Sequence, residues 1–142
     1  KSEAFPVTDI NMTRFNITLK ESVEFVLQSL KNQKGGEIFV PKLSSFKIVD
    51  LCRAINPHKK TKIIGIRPGE KLHEELISKF EANDTIDLGS YYVILPQKHY
   101  DTKFNYNLRK AKFVPKNFHY TSETTNKYLK ISELLKLVRK TK

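Results

Sequence analysis

Lys62-Ile63-Ile64-Gly65-Ile66, followed at once by Arg67-Pro68-Gly69-Glu70, decides how this chain is read. A short run rich in β-branched residues makes a strand, and the proline and glycine behind it impose a turn. Beyond the turn a helix is expected, with Leu72, Leu76 and Ile77 on it. Working back, Glu37-Ile38-Phe39-Val40-Pro41 has the same β-branched and aromatic character and is bounded by Gly35-Gly36 and a proline, so it reads as a second strand. Between the two strands Ile48, Leu51, Cys52 and Ile55 recur at helical spacing, with Ser44 or Ser45 as the expected cap and Asn56-Pro57 as the stop. Further upstream, Thr18-Leu19-Lys20-Glu21 is a capping box that starts a helix near Leu19. Val23, Val26, Leu27 and Leu30 make its apolar stripe, which predicts a core-facing side. Short strands alternating with helices define an α/β chain.

Outside this middle the signals thin. Ala4 to Thr8 is a short extended candidate, Tyr91 to Leu95 is a strand ending at Pro96, and Ile131 to Arg139 is a helix carrying Leu134, Leu135 and Val138. Residues 97–128 read as a long, poorly periodic connection, and such stretches in compact proteins serve a function or wrap on a neighbour. No internal repeat is visible.

With 142 residues the chain is expected to be a single domain, and 39% hydrophobic with 29% charged residues places it among ordinary globular proteins. It has no apolar run long enough to span a bilayer and no secretion-like start, so a soluble, cytoplasmic segment with no membrane association is expected. The lone Cys52, set in an apolar helical pattern, reads as a buried, inert thiol. The excess of 26 Lys and Arg over 15 Asp and Glu gives +11, which is compatible with nucleic acid, an acidic membrane face, a phosphorylated ligand or simply a lysine-rich solvated surface.

Two arginines stand beside turn or strand signals instead of on helix faces: Arg14 in Met12-Thr13-Arg14-Phe15, and Arg67 opening its turn. Guanidinium forks match phosphate oxygens in two-bond geometry, so a pair of them from separate segments can clamp a diphosphate; the alternative is one surface ion pair each. Glu70 either accepts from sugar hydroxyls or is an acid favoured by a helix N-terminus. Glu74 and Glu75 read as solvent-facing partners of Lys71 or Lys79. The four histidines fit no metal-ligand spacing, and no nucleophile elbow, phosphate-cradling loop or dinucleotide fingerprint is present. No catalytic residue and no metal site are assigned.

Three blocks, Met12 to Leu19, Gly35 to Lys42 and Ile64 to Glu74, taken in this order, resemble the C-terminal portion of the inverting UDP-N-acetylglucosamine 4,6-dehydratases. Tyr91 to Pro96, Phe118 to Ser122 and the last helix are similar to that family's final segment. The resemblance implies the C-terminal substrate-binding part of an extended short-chain dehydrogenase, with the Rossmann lobe absent and residues 1–142 as one nucleotide-sugar-binding domain. It implies further that Arg14 and Arg67 hold the UDP pyrophosphate, that Glu70 holds the ribose hydroxyls, and that Lys42 lies at the ligand mouth. Thr13 and Phe15 would support Arg14, and Asn16 departs from the tryptophan usual there.

On the same resemblance NADP would bind mainly to an N-terminal lobe, which would also carry the ring chemistry. The isolated chain is then inactive. Its expected partners are a UDP-sugar, that lobe or a separate chain supplying it, and copies of itself in a homo-oligomer. The strand at 37–41 would belong to the other lobe's parallel sheet and be left with an unpaired edge, prone to self-association. Two other readings compete. One is a stand-alone UDP-sugar-binding module; the other is a basic nucleic-acid-binding domain built on Tyr100, Phe104, Tyr106 and Phe113, ranked last.

Overall fold

The structure, a computed structural model, describes residues 3–96 and 111–140. In chain order its elements are β1 (Ala4–Val7), β2 (Thr13–Asn16), α1 (Leu19–Asn32), β3 (Ile38–Pro41), β4 (Ser44–Lys47), α2 (Ile48–Ile55) and β5 (Lys60–Ile63). There follow β6 (Glu75–Ile77), β7 (Thr85–Asp87), β8 (Tyr91–Ile94), β9 (Lys112–Phe113), β10 (Tyr120–Thr121) and α3 (Ile131–Lys140). The fold is mixed α/β, built of short strands and helices. The segments form two compact units: Lys1–Asn16, Leu43–Glu74 and Thr121–Lys142 make the first, Ile17–Lys42 and Glu75–Tyr120 the second.

In the first unit β1 pairs parallel with β5, Val7 opposite Ile63, and β2 pairs antiparallel with β4, Arg14 opposite Phe46. Helices α2 and α3 pack together, and Val7, Met12, Cys52, Ala54 and Leu134 are buried. Burial pushes the Cys52 thiol up from its ordinary pKa, with a backbone hydrogen bond partly opposing, as befits an unreactive sulfur.

Three local expectations change here. The strand expected at 62–66 begins two residues earlier and ends at Ile63, after which the Ile64 amide donates to Val7 (2.9 Å) and Gly65 turns at φ +85°. Ser44 and Ser45 do not cap α2. They lie in β4, where the Ser45 amide donates to Lys127 and its carbonyl accepts from Leu129, both at 2.8 Å. The first α2 amide is served by the Met12 carbonyl at 3.0 Å, so the helix starts without a side-chain cap.

The helix expected over Leu72 to Ile77 is absent, and Glu75–Ile77 is a strand. The carbonyls of Lys71 and Leu72, which a helix would spend on amides four residues ahead, accept instead from the Arg14 guanidinium; Leu72 also takes the Thr13 amide. A contact from far upstream has overridden the local pattern.

The second unit is built on an antiparallel sheet in the order β3-β8-β7-β9, with Ile86, Val93 and Ala111 at its core and Phe39 and Tyr91 packed on them. β7 and β8 form a hairpin whose turn holds Gly89 at φ +88° with its amide on the Asp87 carboxylate. The strand expected to have a bare edge, β3, is paired along one side with β8, Phe39 opposite Val93, and that pairing is antiparallel.

Helix α1 carries the full capping box, the Thr18 oxygen accepting from the Glu21 amide at 3.2 Å and the Glu21 carboxylate from the Thr18 amide at 2.8 Å. Its aliphatic stripe is not core, however: Val23, Val26, Leu27 and Leu30 are 50 to 56% exposed. The helix meets the sheet through another line, Ser22, Phe25 and Ser29, with the Phe25 ring edge-on to Tyr91 at 5.9 Å.

Of the connection read at 97–128, the later part carries β9 and β10, while Tyr100, Phe104 and Tyr106 lie outside the described residues. No helix among the described residues is long and apolar enough to cross a membrane.

Candidate functional site

Arg14 sits on β2, a position fixed by the pairing of that strand with β4. Its Nη1 donates to the carbonyls of Thr13 (2.7 Å) and Leu72 (3.1 Å), and its Nη2 to that of Lys71 (2.9 Å). The other edge of the guanidinium faces carboxylates. Nε lies 3.2 Å from Glu74 Oε1, and Nη2 lies 3.9 Å from Glu70 Oε1.

The acid at 70 is placed by the turn in front of it. Pro68 sets the first corner, Gly69 takes φ +79° at the second, and the Glu70 amide closes on the Arg67 carbonyl at 3.0 Å. The Glu70 carboxylate folds back over this turn, Oε2 accepting from the Arg67 amide and Oε1 from the Thr8 hydroxyl, both at 3.3 Å. Arg67 itself is exposed, and its guanidinium makes no hydrogen bond or ion pair with the described residues.

Arg14, the Arg67 turn and Glu70 thus lie in one unit. Lys42 belongs to the other, where its ammonium pairs with the Asp87 carboxylate (2.7 and 2.8 Å) and sits 4.4 Å from the centre of the Tyr92 ring. Burial, the Asp87 charge and Tyr120 together push the Tyr92 hydroxyl up to about 12.

Under Arg14 runs a buried polar chain that the sequence reading did not anticipate. Thr13, Ser45 and Ser122 are at most 1% exposed. The Thr13 hydroxyl lies 2.7 Å from His73 Nδ1 and 2.6 Å from the Ser122 hydroxyl, and His73 Nε2 lies 3.6 Å from Glu123. The Ser122 oxygen accepts from the Glu74 amide at 2.9 Å, and the Ser122 amide donates to the Glu74 carbonyl at 2.8 Å. Ser45 Oγ reaches the carbonyls of Arg14 (3.0 Å) and Ser122. No buried side-chain polar atom among the described residues lacks a partner.

Of these groups Thr13 carries a signal in its place beside Arg14; His73 and Ser122 lie within the family-like blocks, but nothing in the sequence gives them a role. Glu74, read as a solvent-facing partner of Lys71 or Lys79, is instead the acid on Arg14. Chemically the cluster offers a pinned guanidinium edge, a second, free guanidinium and an oriented carboxylate. That set can bind anions and hydroxyls; the Thr13 hydroxyl, which meets His73, is too buried to act as a nucleophile.

Fold and cluster together define an α/β chain of the extended short-chain dehydrogenase type. The chain belongs to the polysaccharide biosynthesis protein family, whose model matches residues 1–96. Among individual proteins it is 40% identical to a UDP-N-acetylglucosamine 4,6-dehydratase (inverting) of Campylobacter jejuni, over 99% of this chain and 43% of that protein. It is 35% identical to a UDP-glucose 4-epimerase of Rickettsia akari, over 93% of this chain and 40% of the epimerase. The crystal structure of Pen from Bacillus thuringiensis superposes with a TM-score of 0.78 at 26% identity, covering 99% of this chain and 42% of Pen. The chain therefore spans less than half the length of the relatives it matches.

Proposed function

We propose that this chain is the nucleotide-sugar-gripping portion of an NADP-dependent UDP-N-acetylglucosamine 4,6-dehydratase/5-epimerase serving surface polysaccharide or glycan synthesis in the cytoplasm. Arg14 and Arg67 take the diphosphate and Glu70 the ribose hydroxyls. The observation that carries the reading is the pinning of Arg14. Three main-chain carbonyls fix one edge of its guanidinium and leave the Nε/Nη2 edge turned to the side where Glu70 is held over the Arg67 turn. A cation held in place before its ligand arrives loses little entropy on binding.

NADP does not fit the residues present. The chain's glycines, all at positive φ, lie at 35, 36, 65, 69 and 89, and none opens a helix behind a strand as a dinucleotide cradle requires. The cofactor and the ring chemistry belong in this reading to a second lobe, supplied in the same polypeptide or by a partner chain, and the 142 residues alone are inactive. Assembly into a homo-oligomer is part of the same proposal.

The test is calorimetric titration of UDP and UDP-N-acetylglucosamine into the chain and into its Arg67→Ala and Glu70→Ala variants. Saturable binding that both variants lose supports the reading. Binding that survives in both places the ligand elsewhere.

A further inference from the structure

Glu74 stands on the edge of Arg14 that the proposed diphosphate would use. The two Nη1 hydrogens and one from Nη2 are committed to main-chain carbonyls, so Nε and the remaining Nη2 hydrogen form the one fork left for an anion. Glu74 Oε1 lies 3.2 Å from that Nε.

Its attachment differs from that of the neighbouring acid. The Glu70 carboxylate is tied by Thr8 and by the Arg67 amide as well as facing Arg14. The Glu74 side chain is 44% exposed, and its carboxylate has the Arg14 guanidinium as its one partner among the described residues. What is fixed is the Glu74 backbone, held at its amide and its carbonyl by Ser122. The carboxylate can therefore swing into solvent without disturbing the main chain behind it.

We infer that Glu74 is a built-in competitor at this site, an internal anion that occupies the Arg14 fork and is exchanged for the phosphate oxygens of an incoming nucleoside diphosphate. The inference rests on the reading of Arg14 as a diphosphate ligand. It assigns Glu74 a part in setting affinity: the carboxylate keeps the guanidinium oriented and partnered between ligands, and its displacement makes binding weaker than the cations alone would give. A tight product complex is avoided at the same time.

The experiment measures the affinity of the 142-residue chain for UDP and for inorganic pyrophosphate, in the wild type, Glu74→Gln, Glu74→Ser, Glu75→Gln and Arg14→Ala, with circular dichroism to confirm folding. An exposed ion pair of this kind sets the scale, so both Glu74 variants are expected to bind about two- to fivefold more tightly. Glu75→Gln removes the same charge from the adjacent residue and is expected to change affinity by much less. Arg14→Ala abolishes binding, and adding Glu74→Gln to it restores none. Equal or weaker binding by the Glu74 variants, with Arg14 still required, overturns the competitor role and leaves the proposed site standing, as does an equal gain from Glu75→Gln. Binding that ignores Arg14, or no binding by any form, overturns the site and this inference with it.

Discussion

The Arg14 guanidinium donates to the carbonyl of Leu72 across a sequence separation of 58 residues, so the strand that carries the arginine also dictates the backbone path behind the Arg67 turn. Substitution by lysine keeps the charge and loses the geometry. A single ammonium cannot reproduce the planar fork that reaches the carbonyls of Thr13, Lys71 and Leu72. Arg14→Lys is expected to lower the unfolding free energy by about 1–3 kcal/mol in urea titrations. An unchanged midpoint would mean that water serves the three carbonyls equally well.

Ser122 is the second support of this corner, since its buried hydroxyl takes the Glu74 amide and meets the Thr13 hydroxyl. Ser122→Ala removes an acceptor and leaves groups that must find new partners away from solvent, at a cost of about 1–3 kcal/mol. Thr13→Val should cost a similar amount. Because the two hydroxyls bond to each other, the double variant should lose less than the sum of the singles, which a double-mutant cycle in urea reads directly.

The raised hydroxyl of Tyr92 makes stability depend on alkaline pH. Its folded pKa, about 12, lies above the value of 10 expected for an unhindered tyrosine. Between the two the unfolded chain releases a proton that the folded chain retains, so the unfolded state gains and stability falls as pH rises from about 10 to about 12. Below 10 the group contributes no pH dependence. Thermal melts across this range should show a smaller decline for Tyr92→Phe than for the parent; parallel curves would assign the decline to other groups.

Leu27 is 54% exposed on α1, so Leu27→Lys should change the stability of this chain by no more than about 0.5 kcal/mol. A leucine in a packed core would cost about 2–5 kcal/mol on truncation and more on charging. Urea titration separates the two cases. Light scattering of the same samples should show less association for the lysine variant, because it interrupts an exposed apolar stripe.

Elements whose cues are local were legible. The Thr18 and Glu21 box put the start of α1 near Leu19, where it begins, the β-branched runs located β3 and β8, and the leucines of the last helix marked α3. Elements settled by distant partners were not. Nothing near Leu72 announces that Arg14 will take its carbonyl, and nothing near Ser45 announces that Lys127 and Leu129 will hold it in a ladder. The same division runs through the site. Arg14, Arg67 and Glu70 were picked out by their settings and by family resemblance, whereas Glu74 was assigned to neighbouring lysines because a helical spacing was assumed for a stretch that is not helical.

The Ser45 ladder ties an early strand to some of the last residues of the chain, and α2 likewise packs on α3. A ribosome delivers these partners far apart in time. While the middle of the chain is being made, β4 and the apolar side of α2 are already outside the exit tunnel with their closing segment still untranslated. The first unit is therefore completed only after α3 has been made and not progressively, so a messenger truncated before the codon for Thr121 yields a product whose Arg14 corner lacks its Ser122 footing and which presents unfinished surface to chaperones and proteases.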